Sequence, residues 1–240
     1  MTEPFGWRLR RLTDERGPLC VGIDPHAALL DAWGLPDTAY GLERFTMTVV
    51  DALSDTVAML KPQSAFFERH GSVGVAVLER AVAAARERGT LVLIDAKRGD
   101  IGSTAAAYAE TYLAPSSPLS ADAVTVSPYL GFGALRPFFD AASEHGRGVF
   151  VLALTSNPEG ASVQLARSDR CAGPSPLSRG RTVAGDVLAA LERANAGAQP
   201  LGSFGAVVGA TIESTEEALE INGPLLAPGF GAQGGTVTDL

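Results

Sequence analysis

Short apolar runs, each closing on polar residues, recur along the whole chain. They are LCVGI (19–23), VAML (57–60), LVLI (91–94), DAVTVS (122–127), GVFVLAL (148–154), FGAVV (204–208) and PLLA (224–227). Runs this short read as buried strands. Between them the period lengthens to that of a helix. Phe45, Val49, Leu53 and Val57 recur every fourth residue over 43–58. Val75, Leu78, Val82 and Ala85 mark a helix that stops at Gly89, and Leu135, Phe138, Phe139 and Ala142 mark another over 133–145. Val183, Val187, Leu188 and Leu191 do the same over 182–194, and an alanine-rich helix is predicted over 103–113. WRLRRLTDER (7–16) reads as a short amphipathic helix, and Glu216–Ile221 as another short helix led by two carboxylates. Residues 27–42, with Gly34, Pro36 and Gly41, read as a loop. Residues 159–180 are less regular, and their turn formers CAGPSPLSRGR point to a long surface insertion.

Strand and helix alternate without a compositional break, so residues 1–240 read as one α/β domain on a parallel sheet. Asp24, Lys61, Asp95, Ser127, Ser156, Thr211 and a final glycine loop stand at the C-terminal ends of the strands. In a (β/α)8 TIM barrel those ends share one face, which carries the site. In an open doubly wound sheet they would line a crevice. No GxGxxG follows the first strand, which argues against a dinucleotide fold. The pattern supplies seven strands and lacks the eighth. A gap there leaves an unpaired edge, so the C-terminal end of the barrel is expected to be incomplete.

Composition narrows the picture. A chain of 240 residues with 46% hydrophobic content can bury a full core. A net charge of −8 with no Lys/Arg block argues against nucleic acid. The start, MTEPFGWRLRRL, has no long apolar core, and no run is long enough to span a membrane. Cys20 and Cys171 form neither a disulfide framework nor a metal-ligand spacing, which fits a reducing cytoplasm. His26, His70 and His145 are scattered and read as structural or surface residues, and Cys20 reads as core.

The densest chemistry lies in LVLIDAKRGDIGST, 91–104. In an extended strand Asp95 and Lys97 point to one side. Asp100, beyond Gly99, can swing back or reach a neighbouring subunit. Two carboxylates about 4 Å apart at an effective dielectric of about 20 repel by roughly 4 kcal/mol. A lysine between them offsets this, stays protonated and becomes a positioned proton donor. A plain surface ion-pair cluster is the alternative. In PGFGAQGG (228–235), glycines let backbone N–H groups approach an anion, and Gln233 can add an amide donor. A flexible terminal loop is the alternative there.

DAKRGDIGST resembles the Asp-x-Lys-x-x-Asp signature of the orotidine 5'-phosphate decarboxylase family. VGIDP, LKPQSAFFERHG and APGFGAQGG resemble its other site segments in order, over residues 19 to 235, and point to the bacterial branch with longer loops. The resemblance implies a cofactor-free, metal-free, homodimeric cytoplasmic barrel. Its reaction would convert orotidine 5'-monophosphate to UMP and CO₂, the last step of de novo pyrimidine synthesis. Lys97 matches the proton donor to C6, and Asp95 the residue that orients it beside the leaving carboxylate. Asp100, Ile101 and Thr104 would enter from the other subunit. Lys61 completes a Lys–Asp–Lys–Asp network and contacts the ribose, with Asp24 on a ribose hydroxyl. Ser156 matches the residue that reads the pyrimidine. Pro228, Gln233 and Gly234 belong to the closing loop, where Gln233 matches a phosphate contact. The family's phosphate arginine after the eighth strand has no match, and Arg179 and Arg181 do not supply one. Two rivals stand: a metal-dependent sugar-phosphate decarboxylase or aldolase of the same suprafamily, and a non-catalytic nucleotide-binding barrel. Lys61 opposes the first, because a cation there would repel Mg²⁺.

Overall fold

The computed structural model describes residues 3–167, 181–212, 215–231 and 234–236. Its sheet runs in chain order: β1 Cys20–Ile23, β2 Met59–Pro62, β3 Leu91–Arg98, β4 Ala123–Val126, β5 Gly148–Leu154, β6 Phe204–Val208 and β7 Leu225–Leu226. Every neighbouring pair is parallel. The helices are α1 Phe5–Arg16, α2 Ala27–Ala32, α3 Ala39–Leu53, α4 Ser64–Glu68, α5 Gly71–Glu87, α6 Gly102–Leu113, α7 Arg136–His145, α8 Ala161–Gln164 and α9 Val183–Ala194. The result is a seven-stranded α/β half-barrel, and among the described residues no strand joins β7 to β1. No described helix is long and apolar enough to cross a membrane.

Successive strand residues point to opposite faces, so the sheet feeds two cores. Leu60, Val92, Ile94, Val124, Val126, Val149 and Val151 face outward and pack with Phe45 and Val49 of α3 and Leu78 and Ala81 of α5. Met59, Leu91, Leu93, Ala123, Phe150, Val207 and Leu226 form a second cluster with Phe5, Leu9 and Leu12 of α1. Helix α1 thus packs onto that face at the N-terminal ends of the strands. Phe5 is fully buried, edge-on to Phe150 at 5.9 Å between ring centroids. Its burial contributes roughly 2 kcal/mol. A Cβ on Gly148 would lie 2.4 Å from the Phe5 ring, so glycine lets the helix seat.

The N-terminal ends of the strands are pinned by charge. Asp122, just before β4, binds Arg8 (2.6 Å) and Arg147 (3.0 Å), lies 3.4 Å from Arg86, and accepts the Val92 N–H. Burial, with Arg86 and Arg8 nearby, pushes the Arg147 guanidinium below its ordinary range despite Asp122.

Several expectations need correction. The predicted loop 27–42 contains α2, capped by His26, whose Nδ1 accepts the Leu29 N–H. Gly34, at φ +66°, breaks the chain there; Gly41 lies inside α3, where a Cβ would fall 1.9 Å from the Pro36 carbonyl oxygen. Helix α3 ends at Leu53, so Val57 continued the period by coincidence, and α4 was not foreseen. Residues 159–167 are more regular than expected and hold a 3-10 turn, Pro158–Gly160, and α8. The rest of the predicted insertion, 168–180, lies outside the described residues. Residues 215–221 form no helix. Glu217 instead accepts the Thr182 hydroxyl (2.5 Å), and that hydroxyl caps α9 by accepting the Gly185 N–H. This tie to another element outweighs a six-residue helix that would stand alone.

Candidate active site

The C-terminal ends of β1, β2 and β3 carry the charged cluster. Register pairs Gly22 with Lys61, and a parallel bridge pairs Gln63 with Asp95. Asp24, Lys61, Asp95 and Lys97 therefore converge from adjacent strands. A Cβ on Gly22 would lie 2.3 Å from the Asp24 carboxylate, so glycine leaves room for it.

Asp95 is the centre, buried at 7% exposure. Its Oδ1 accepts from Lys97 Nζ (2.7 Å) and Thr125 Oγ1 (2.8 Å). Its Oδ2 accepts from Lys61 Nζ (3.2 Å) and Gln63 Nε2 (3.0 Å). Lys61 also lies 3.8 Å from Asp24. Burial raises the Asp95 pKa, but Lys61, Lys97 and Thr125 together outweigh it and hold the carboxyl below its usual range. Asp24 shifts the other way. Burial pushes it up, Lys61 pulls it down, and Asp95 adds to the rise. Beneath them, burial pushes the Cys20 thiol up to about 12.

The Asp95–Lys97 contact is as expected, but its cause is not plain alternation. Strand β3 continues to Arg98 with a register shift after Ile94, and Lys97 has φ +47°. A left-handed residue at a bulge turns the lysine onto the carboxylate.

Asp100 does not join this cluster within its own chain. Its Oδ1 accepts the Ile101 N–H (2.8 Å), and it forms no ion pair among the described residues. Ile101 and Thr104 are exposed beside it. Ser156 is exposed after β5, against Gly209, where a Cβ would lie 2.9 Å from the Ser156 nitrogen. Pro228 is half-buried and its carbonyl accepts the Ala210 N–H. In the glycine loop, the N–H groups of Gly231, Gly234 and Gly235 bond to Gly235, Gly231 and Gly229 carbonyls. Those amides are engaged within the loop instead of standing open to an anion. Gln233, Arg179 and Cys171 lie outside the described residues. Gln63 and Thr125 were missed as site residues. Their only signal was position, each placed at or near a strand's polar end.

A parallel α/β barrel sheet with a lysine–carboxylate lattice on its C-terminal rim is the arrangement of a barrel enzyme, the class whose sites lie at that rim. Comparison with known proteins narrows the class. The model of the orotidine 5'-phosphate decarboxylase / HUMPS family matches residues 17–240. An orotidine 5'-phosphate decarboxylase of a Nocardioides species is 62% identical over 237 residues, covering 99% of this chain and 85% of that protein. One from Streptomyces coelicolor is 64% identical over 240 residues, covering 99% and 83%. A crystal structure from Streptomyces avermitilis superimposes with a TM-score of 0.94 at 62% identity, covering all of this chain and 81% of the other. The chain belongs to the orotidine 5'-phosphate decarboxylase / HUMPS family.

Proposed function

We propose that Lys97 is the acid that protonates C6 of the pyrimidine as CO₂ departs, with Asp95, Lys61 and the partner subunit's Asp100 arranged around it. The reaction is the cofactor-independent decarboxylation of orotidine 5'-monophosphate to UMP, the last step of de novo pyrimidine synthesis. Loss of CO₂ leaves a carbanion at C6 with no carbonyl placed to absorb it. Such a barrier asks roughly 20 kcal/mol of the catalyst. The observation that carries the assignment is the Lys97 ammonium 2.7 Å from Asp95, whose other oxygen is held by Lys61. An ammonium fixed before the reaction begins stabilises charge as it develops, without reorganisation.

The remaining roles follow position. Asp24 and Lys61 take the ribose, and Ser156 reads the base from the end of β5. The loop carrying Pro228, Gln233 and Gly234 closes on the phosphate, and its remote binding energy orders the site. The whole chain acts as one barrel domain and works in the cytoplasm, as its biosynthetic role implies.

The active unit is a homodimer in which Asp100, Ile101 and Thr104 cross to the neighbour's Lys97. Asp100 has no ion pair among the described residues, the Lys97 side chain is 43% exposed in a single chain, and Ile101 (63%) and Tyr129 (78%) leave apolar surface on the same rim. The metal-dependent rival is disfavoured because Lys61 already sits between Asp24 and Asp95, where Mg²⁺ would go.

The test is turnover of orotidine 5'-monophosphate followed by its ultraviolet absorbance. Lys97→Ala is expected to lower kcat by at least about 10⁴-fold while the fold survives. Near-parental kinetics for that variant would end the assignment.

A further inference from the structure

We infer that Thr125 is the positioning residue that sets Lys97 against Asp95, a role that rests on Lys97 being the proton donor. Between the pairs Ile94–Val124 and Arg98–Val126, three residues of β3 face one residue of β4. The three are Asp95, Ala96 and Lys97, and the one is Thr125. A bulge of this size strips the ladder of the partner that would have received the Lys97 N–H. The Thr125 hydroxyl receives it instead, at 2.9 Å.

The direction of each bond is fixed by chemistry. An amide can only donate, so the hydroxyl accepts from Lys97 and must send its single proton elsewhere. That proton goes to Asp95 Oδ1 at 2.8 Å, the same oxygen that holds the Lys97 ammonium at 2.7 Å. One buried hydroxyl thereby references both ends of Lys97, the backbone directly and Nζ through the carboxylate. The backbone end needs it, because φ +47° is a conformation lysine seldom adopts and keeps only where its surroundings impose it. Thr125 is 1% exposed, so no solvent competes for either bond. Lys61 and Asp24 are not bonded to Thr125; Lys61 shares Asp95 with it only through the other oxygen, Oδ2, and is also held 3.8 Å from Asp24. Thr125 should therefore govern kcat more than KM.

Three variants of the full chain decide the matter: Thr125→Val, which keeps the shape without the hydroxyl, Thr125→Ser, which keeps the hydroxyl, and Thr125→Ala. Valine is expected to lower kcat about ten- to hundredfold, with KM within about threefold of the parent. The acid limb of the kcat/KM profile moves to higher pH, because Asp95 loses a donor that favours its charged form. Serine recovers kcat to within about threefold. Parental kcat in the valine variant overturns the inference, as does a serine variant as slow as valine, or a loss confined to KM. If the valine protein does not fold, alanine replaces it under the same criteria. Lys97→Ala assayed in parallel separates the two levels. If it stays active, the proton-donor reading falls. If it is dead while Thr125→Val is parental, only the positioning role falls.

Discussion

A carboxylate offers about four acceptor positions, and Asp95 has a donor on each: Lys61, Gln63, Lys97 and Thr125. That saturation keeps a buried charge ionised. Because the folded carboxyl lies below its ordinary 3.8, the folded state binds fewer protons than the unfolded chain in acid. The stabilisation from Asp95 is then complete above about pH 5 and fades as pH falls through the folded value. Urea midpoints of the parent and Asp95→Asn, compared from neutral pH downward, should therefore converge as the solution is acidified. A gap that widens in acid would contradict the sign. Cys20 gives a second residue-scale expectation. With its pKa at about 12, only about one molecule in 10⁴ carries a thiolate at pH 8. Peptide mapping after alkylation of the native protein should find Cys20 unmodified. Lys61, Asp95 and Lys97 were legible in the sequence because charge after an apolar run is conspicuous. Gln63 and Thr125 were not, since a neutral polar residue at a strand position has no distinguishing pattern until pairing shows what it faces.

At the scale of elements, the two rims of the sheet do different work. The C-terminal rim carries the lysine–carboxylate cluster, and the N-terminal rim is fastened by Asp122 among Arg8, Arg86 and Arg147. Asp122→Ala leaves the buried Arg147 guanidinium, and the half-buried ones of Arg8 and Arg86, without their counter-charge and should cost about 3–5 kcal/mol, read from denaturant unfolding. The folded fraction should keep the parental kcat, because this cluster lies at the opposite end of the strands from Lys97. Strands β5 and β6 matched their apolar runs residue for residue. Strand β3 outran its own run, because pairing with β4 carries the extended chain through charged residues to Arg98. The supposed helix at 216–221 failed for the converse reason, since Glu217 is worth more at the Thr182 cap than in a short free helix.

At the scale of the molecule, the proposed crossing of Asp100 into a partner's site is testable by mixing. Lys97→Ala and Asp100→Ala subunits, each inactive alone, should regain activity when refolded together. Random pairing restores about a quarter of the sites, because a mixed dimer holds one intact site and one doubly defective one. No recovery would place Asp100 in its own chain's site. The sequence alone determined the alternating architecture, the gathering of the charged cluster on one rim and the family, because hydrophobic period and residue type are local properties of a chain. Only the tertiary structure decided that a bulge and a left-handed lysine bring Lys97 onto Asp95, that α1 packs across the N-terminal ends of the strands, and that the glycine loop's amides bond to one another. Those outcomes depend on which distant backbone groups find partners, and one-dimensional spacing does not encode that choice.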